Sequence, residues 1–388
     1  MGVAAVKLGL GVGLALLLLE WVLRANPGLL LHGMALPAPA DPPLTLQLYA
    51  VRSSDADTFF WMRDRIRPIR PDEDQVEALV RFETDEYGFP NVGPVPADVD
   101  VVVLGRSYSL GAQASQPWPR ALAERARIRV LNLSQAGSGI GQKTLHLRRF
   151  GLPRSPRWVV VEVLPSMDII GFGRPEPLLI QRLVFPMMQY FARAMLHGSA
   201  PSPGALPIYP LQISMRGGDA QLVFFDDYLA ALTVGREELT ASGQWTQFTQ
   251  GLVELTALAR SRSACVALLL APTKETVYLP LAVEPAQLEP ALEGCGGWSL
   301  SGSGWLVPYS ADVVSPGALQ ANAPGAGEAL GEFSARQGIL FLDPTSRFVD
   351  AVLAGGEPFM RYDTHWSALG HRLVADMVAE GLAEGGCR

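Results

Sequence analysis

The residues best suited to chemistry are a serine and a histidine far apart in the chain. Ser107 follows Val101-Val-Val-Leu-Gly-Arg106, a β-branched run that stops at Gly105. This predicts a buried strand that delivers Ser107 into a tight turn between Gly105 and Gly111. A serine hydroxyl is a weak nucleophile until a base takes its proton. Near the other end, Asp363-Thr-His365-Trp366 supplies a carboxylate and an imidazole two residues apart, directly before a helical pattern. Ser107 as nucleophile, His365 as general base and Asp363 as the group that fixes the imidazole tautomer make a candidate triad. Taken alone, Asp363-Thr-His365 reads equally well as a turn or capping cluster; a serine at a strand end favours the catalytic reading. Of the other histidines, His32 lies beside the N-terminal apolar segment. His146, His197 and His371 fall in helix-like patterns, where surface or satisfied core roles are expected.

Such groups need a rigid frame. The chain alternates short apolar runs with helical stretches, the pattern of βαβ units in an α/β fold with a parallel sheet. Strands are expected at residues 99–104, 129–133, 158–164, 265–270 and 339–342, and helices at 118–127, 141–150, 246–261, 325–337 and 367–380, the last capped by Ser367. Ligands of open parallel sheets bind beyond the carboxyl ends of the strands, where Ser107 falls. Residues 170–244 and 278–323 are too long for ordinary connections and read as insertions, lids or partner surfaces. The first contains an apolar stretch, 183–196, expected as a helix of the insertion, and Asp226-Asp227, expected as a surface turn. The second contains the glycine-rich 294–305, expected to be flexible and matching no P-loop or dinucleotide fingerprint.

Hydrophobic residues make up 48% of the 388 residues and charged residues 18%, far from the composition of a disordered chain. The length suits one large α/β domain with insertions or two domains. A formal net charge of -7, with no Lys/Arg stripe to neutralise phosphates, excludes nucleic acid as a partner. There is no Cys/His zinc spacing, no HExxH and no glycosidase-like carboxylate pair, so no metal or cofactor is expected. Cys265 reads as a small core residue, whereas Cys295 and Cys387 could pair in an oxidising compartment.

At the N-terminus, Val3 to Leu23 approaches the ~20 apolar residues that span a bilayer, with Lys7 and Glu20 near its ends able to snorkel. Residues 1–24 are therefore expected as a membrane anchor. A cleaved signal peptide is the rival; its nearest small-x-small triplet, Ala38-Pro-Ala40, lies too far beyond the apolar core. Residues 25–96 read as a proline-rich spacer and an irregular approach segment ahead of an α/β domain at 97–388.

Four blocks, in this order, resemble the SGNH (GDSL-type) hydrolase superfamily, particularly its membrane-anchored envelope branch that includes the alginate O-acetyltransferase-like proteins. They are Gly105-Arg-Ser107, Asn132-Leu-Ser-Gln-Ala-Gly137, Val159-Val-Val-Glu-Val-Leu-Pro-Ser-Met-Asp168 and Asp363-Thr-His365. The resemblance implies a three-layer, flavodoxin-like fold, with the backbone N–H groups of Ser107 and Gly137 as oxyanion donors. Three departures stand out. Ser166 and Met167 occupy the region where the family carries an oxyanion-stabilising Asn; a thioether cannot donate, but the Ser166 hydroxyl could. Arg106 replaces an Asp, placing a cation either for an acidic substrate group or for a structural ion pair. The spacing Asp-x-His replaces Asp-x-x-His and resembles the alginate acetyltransferase-like branch. Lys274, in a segment also similar to the anchored proteins, either faces substrate or lies in solvent.

The implied function is serine-dependent acyl-ester chemistry outside the cytoplasm, in the periplasm or at the cell surface. Its substrate would be an acylated polysaccharide or a small ester, with envelope-assembly proteins as possible partners. Water as acceptor makes an esterase, and a sugar hydroxyl makes an O-acyltransferase. The missing Asn and the Arg106 substitution keep open a different class, a non-catalytic envelope scaffold or carbohydrate-binding protein on the same fold.

Overall fold

The computed structural model describes residues 45–51, 76–85, 87–112, 114–171, 209–215, 218–283, 289, 296–310, 315–360 and 364–387. Its centre is a five-stranded parallel sheet. The strands are β1 (Val101–Leu104), β2 (Val130–Asn132), β3 (Trp158–Val163), β4 (Cys265–Leu270) and β5 (Leu340–Leu342). All five expected strands are present, β4 with the expected bounds and the other four slightly shorter. Their spatial order is β5-β4-β3-β1-β2, which is the doubly wound, flavodoxin-like arrangement. Register is continuous across the centre, with Val102 opposite Leu131 on one side and Val159 on the other.

The β-branched runs form central strands because both faces are covered. Among the helices are α1 (Trp118–Ala126), α2 (Ile140–His146), α3 (Gly243–Arg260), α4 (Gly325–Gln337) and α5 (Ala368–Glu384). On one face, Val102, Leu104, Val159, Val161, Val163, Leu268 and Leu270 pack with Leu252 and Leu255 of α3 and Leu330 and Phe333 of α4 in a single core. The alternate residues Val101, Val103, Val160, Ala267 and Leu269 are equally buried. On that face α5 approaches so closely that a Cβ on Gly385 would meet the Trp158 ring at 2.9 Å. Ser367 caps α5 as expected, its Oγ accepting from the N–H groups of Leu369 (3.1 Å) and Gly370 (3.4 Å). The helix expected at 141–150 is α2 followed by a π turn, Leu147–Gly151.

Several sequence expectations are corrected. Residues 45–51 and 76–83, read as spacer and approach, pair as an antiparallel ribbon. The glycine-rich stretch is a hairpin of Gly296–Leu300 with Leu306–Ser310. Gly304, at φ 79°, supplies the backbone its turn requires. Asp226 opens a short helix, Asp226–Ala231, instead of a turn.

Cys265 is also more than a core residue, because it is disulfide-bonded to Cys387 with Cα atoms 5.9 Å apart. The cause is topological. Helix α5 runs back along the sheet and sets the chain's end beside the start of β4, where Arg157 Nη2 also donates to the Cys387 carbonyl at 2.6 Å. Cys295, residues 1–24 and the apolar stretch 183–196 lie outside the described residues. Among the described residues, no helix is long and apolar enough to cross a membrane.

Candidate active site

Strand order reverses between β1 and β3, and such a switch point opens a crevice at the carboxyl ends of the strands. Ser107 leaves β1 there and Ser166 leaves β3. Ser107 begins a single helical turn, Ser107–Leu110, closed by Gly111 at φ 64°, whose N–H returns to the Ser107 carbonyl. As the first residue of a helical turn, Ser107 has an N–H with no acceptor inside that turn. The side chains around it are packed away: Tyr108, Ser109 and Leu110 are buried while Ser107 keeps partial exposure. Gly105 is obligatory, because a Cβ would land on Ser109 and come within 2.8 Å of Glu162 Oε2.

The C-terminal loop docks onto this turn. Tyr108 donates its hydroxyl to the Thr364 carbonyl at 3.0 Å. Its ring lies 5.1 Å from that of His365 and 4.8 Å from that of Trp366. Trp366, fully buried, anchors the loop by donating Nε1–H to the Pro272 carbonyl at 3.2 Å. The residue after Ser107 is therefore in ring contact with the partly exposed His365. The loop that carries His365, distant in sequence, thus docks on the turn that Ser107 begins. Asp363 lies outside the described residues.

Gly137 follows β2. It sits in a turn closed by Ser138 N–H to the Gln135 carbonyl at 3.2 Å, with φ 76° and open space where a Cβ would stand. The turn is tied to the serine strand, since both Gln135 N–H (3.1 Å) and Ser138 Oγ–H (2.9 Å) donate to the Gly105 carbonyl. Ser166 opens a π-helical turn, Ser166–Ile170. Its hydroxyl is buried without a hydrogen-bond partner, a state that calls for an explanation in a native interior.

Arg106 and Lys274 are both buried. Arg106 is buried, donating Nη1–H to Asp168 Oδ1 and to the Ser138 carbonyl, both at 3.3 Å; of its two readings, the structural ion pair is the one observed. Lys274 is fully buried and so does not lie in solvent. It starts a helical turn, Lys274–Tyr278, whose first N–H groups a reciprocal Thr273/Thr276 capping box satisfies.

Sequence reading missed a buried polar floor under the turn. Glu162, fully buried in β3, accepts the Arg106 N–H at 3.1 Å on Oε1 and the Ser109 hydroxyl on Oε2. Lys143, on α2, donates to the Glu162 carbonyl at 2.7 Å and to Asp168 Oδ1 at 3.0 Å. Burial pushes the Glu162 carboxyl above its ordinary range and pulls the Lys143 amine below its own. Asn132 Nδ2 donates to the Ser109 carbonyl at 2.8 Å, and Trp118 Nε1 donates to Ser109 Oγ at 3.0 Å. Beside them, His371 Nδ1 accepts the Trp118 N–H at 3.2 Å. Burial above all, with the charge of His365 second, lowers the His371 pKa to about 3. The available signal was Glu162 itself, a lone acid within the apolar run 158–164.

Topology and turn together define a doubly wound α/β protein with a serine elbow at its switch point. No family model and no curated protein matches the chain. Similar solved structures include a member of the lipolytic protein G-D-S-L family from Veillonella parvula, with 12% identity and TM-score 0.38, covering 73% of this chain and 98% of that one. A catalytic mutant of an acetylxylan esterase from Geobacillus stearothermophilus shares 11% identity at TM-score 0.36, covering 76% and 97%. A GDSL-like lipase from Bacteroides thetaiotaomicron shares 11% at TM-score 0.33, covering 73% and 87%. At these identities and scores the likeness assigns no residue roles, and the chemistry of the site rests on its own geometry.

Proposed function

We propose that the chain is a serine-dependent acyl-ester hydrolase or O-acyltransferase of the SGNH type. The observation that carries this reading is the docking of the His365 loop onto Tyr108, next to a partly exposed serine in an elbow at the switch point. Ser107 Oγ attacks the acyl carbonyl as His365 accepts its proton, and Asp363 orients the imidazole. The N–H groups of Ser107 and Gly137, with the Ser166 hydroxyl as a third donor, receive the oxyanion. Collapse of the tetrahedral intermediate breaks the ester bond, and His365 returns the proton to the departing alkoxide. Water or a sugar hydroxyl, deprotonated by His365, then attacks the acyl carbonyl; the bond to Ser107 Oγ breaks, and His365 returns the proton to Ser107.

An acylated carbohydrate is the proposed substrate class. Support comes from the family resemblance of the blocks and from the names of the acetylxylan esterase neighbours. The proposed location is outside the cytoplasm, in the envelope, held by an N-terminal anchor. The Cys265–Cys387 disulfide supports it, since such bonds persist in oxidising compartments.

One observation favours a non-catalytic, glycan-binding reading: Ser166 and Met167 replace the Asn that the resemblance implies. Labelling of the purified full-length protein with a fluorophosphonate probe separates the two. Wild type should label, Ser107→Ala should not, and His365→Ala should label at least about a hundredfold more slowly. An unlabelled wild type, beside a reacting serine esterase, overturns the catalytic reading.

A further inference from the structure

We propose that Glu162 is a positioning residue of the serine site, its carboxylate clamping the turn on both sides of Ser107. The inference rests on the serine reading above and extends it to a group that never touches substrate. Oε1 takes the backbone N–H of Arg106, the residue before Ser107, and Oε2 takes the hydroxyl of Ser109, two residues after it. Ser109 is in turn gripped through its carbonyl by Asn132 and through its oxygen by Trp118. Glu162 is itself fixed, since its strand is central and Lys143 holds its carbonyl at 2.7 Å. The nucleophile therefore stands on a clamp anchored in the central strand of the sheet.

The position argues against a merely structural role. Trp158, Val160 and Ala267, on the same face of the sheet, are apolar and buried, so packing alone would be served by an aliphatic residue. A carboxyl placed there must be desolvated. Its lone pairs instead satisfy two donors at the elbow. The absence of a side chain at Gly105 leaves the space into which Glu162 Oε2 reaches. A displacement of about 1 Å at a nucleophile can lower a rate about a hundredfold, so loss of the clamp should act on the chemical step and leave substrate binding unchanged.

The test uses the full-length protein, p-nitrophenyl acetate as substrate and a fluorophosphonate probe. Glu162→Gln keeps an acceptor for Arg106 but turns an amide N–H toward Ser109, while Ser109→Ala removes one arm of the clamp together with the acceptor of Trp118 Nε1–H, so both variants are first shown to unfold cooperatively. Each should lower kcat and the labelling rate about 10- to 100-fold with KM unchanged. In the double variant the donor conflict disappears, so its loss should not exceed that of Glu162→Gln alone. Wild-type kcat in Ser109→Ala or in folded Glu162→Gln overturns the clamp, as do losses that multiply in the double variant. A wild type that takes no label overturns the serine reading itself, and this inference with it.

Discussion

The two ends of the central sheet are held together by different physics. At the amino ends, a disulfide joins the start of β4 to the chain's last turn. Arg157 caps the Cys387 carbonyl, and Arg129 pairs with Asp100 at 3.4 Å while both side chains remain at least 40% exposed. None of these requires a charge to leave water. At the carboxyl ends, Glu162, Lys143, Asp168, Arg106 and His371 are all buried, and burial disfavours the charged forms of Glu162, Lys143 and His371. Groups so costly to bury collect at functional sites more often than at purely structural ones. One end is built for stability, and the other carries polar groups that a fold alone would not need.

This contrast can be broken at either end. The largest stability effect is expected from the disulfide, whose partners are 122 residues apart. Cys387→Ser should lower unfolding free energy by about 2–5 kcal/mol. Labelling of Ser107 should persist below the new midpoint, because the bond lies at the opposite end of the sheet. A denaturant titration with and without probe checks both parts. Loss of labelling in the still-folded variant would show that the two ends are not independent.

A smaller effect comes from His371. Its folded pKa is lowered to about 3 from 6.5. The unfolded chain therefore takes up a proton as pH falls through 6.5, while the native state does so only near 3. Stability is fully present above pH 6.5 and is lost on acidification, with a slope of up to about 1.4 kcal/mol per pH unit. His371→Asn, which can still accept the Trp118 N–H, should flatten the dependence between pH 6.5 and 4.5, above most carboxylate titrations. Equal slopes for variant and wild type in urea titrations would reject the assignment. Smallest is Arg129→Ala, which removes an exposed pair and should cost below about 1 kcal/mol and fade further in high salt. A larger loss would mean that the amino end depends on charge after all.

Much of the frame was legible because it rests on local pattern. Short apolar runs between helical stretches marked all five strands, and Ser367 marked the start of α5. Ser107 stood out because a strand that stops at glycine can only deliver the next residues into a turn. What escaped was everything decided by partners distant in sequence. Arg106 looked equally suited to substrate or to an ion pair until Asp168 was seen beside it. Lys274 read as facing either substrate or solvent, because nothing in its own segment reports the packing that buries it. Cys387 found Cys265, since the direction of α5 across the sheet is not encoded near either cysteine.

By itself, the sequence determined the order of strands and helices, the glycine-bounded serine turn and the cap before the last helix. Each follows from sterics and hydrogen bonding within a few residues. Only the tertiary structure decided that His365 meets the elbow through Tyr108, that Glu162 accepts from Arg106 and Ser109 on either side of Ser107, and that Arg106 turns inward. Those outcomes depend on which groups share a desolvated space, and that is set by the packing of the whole sheet.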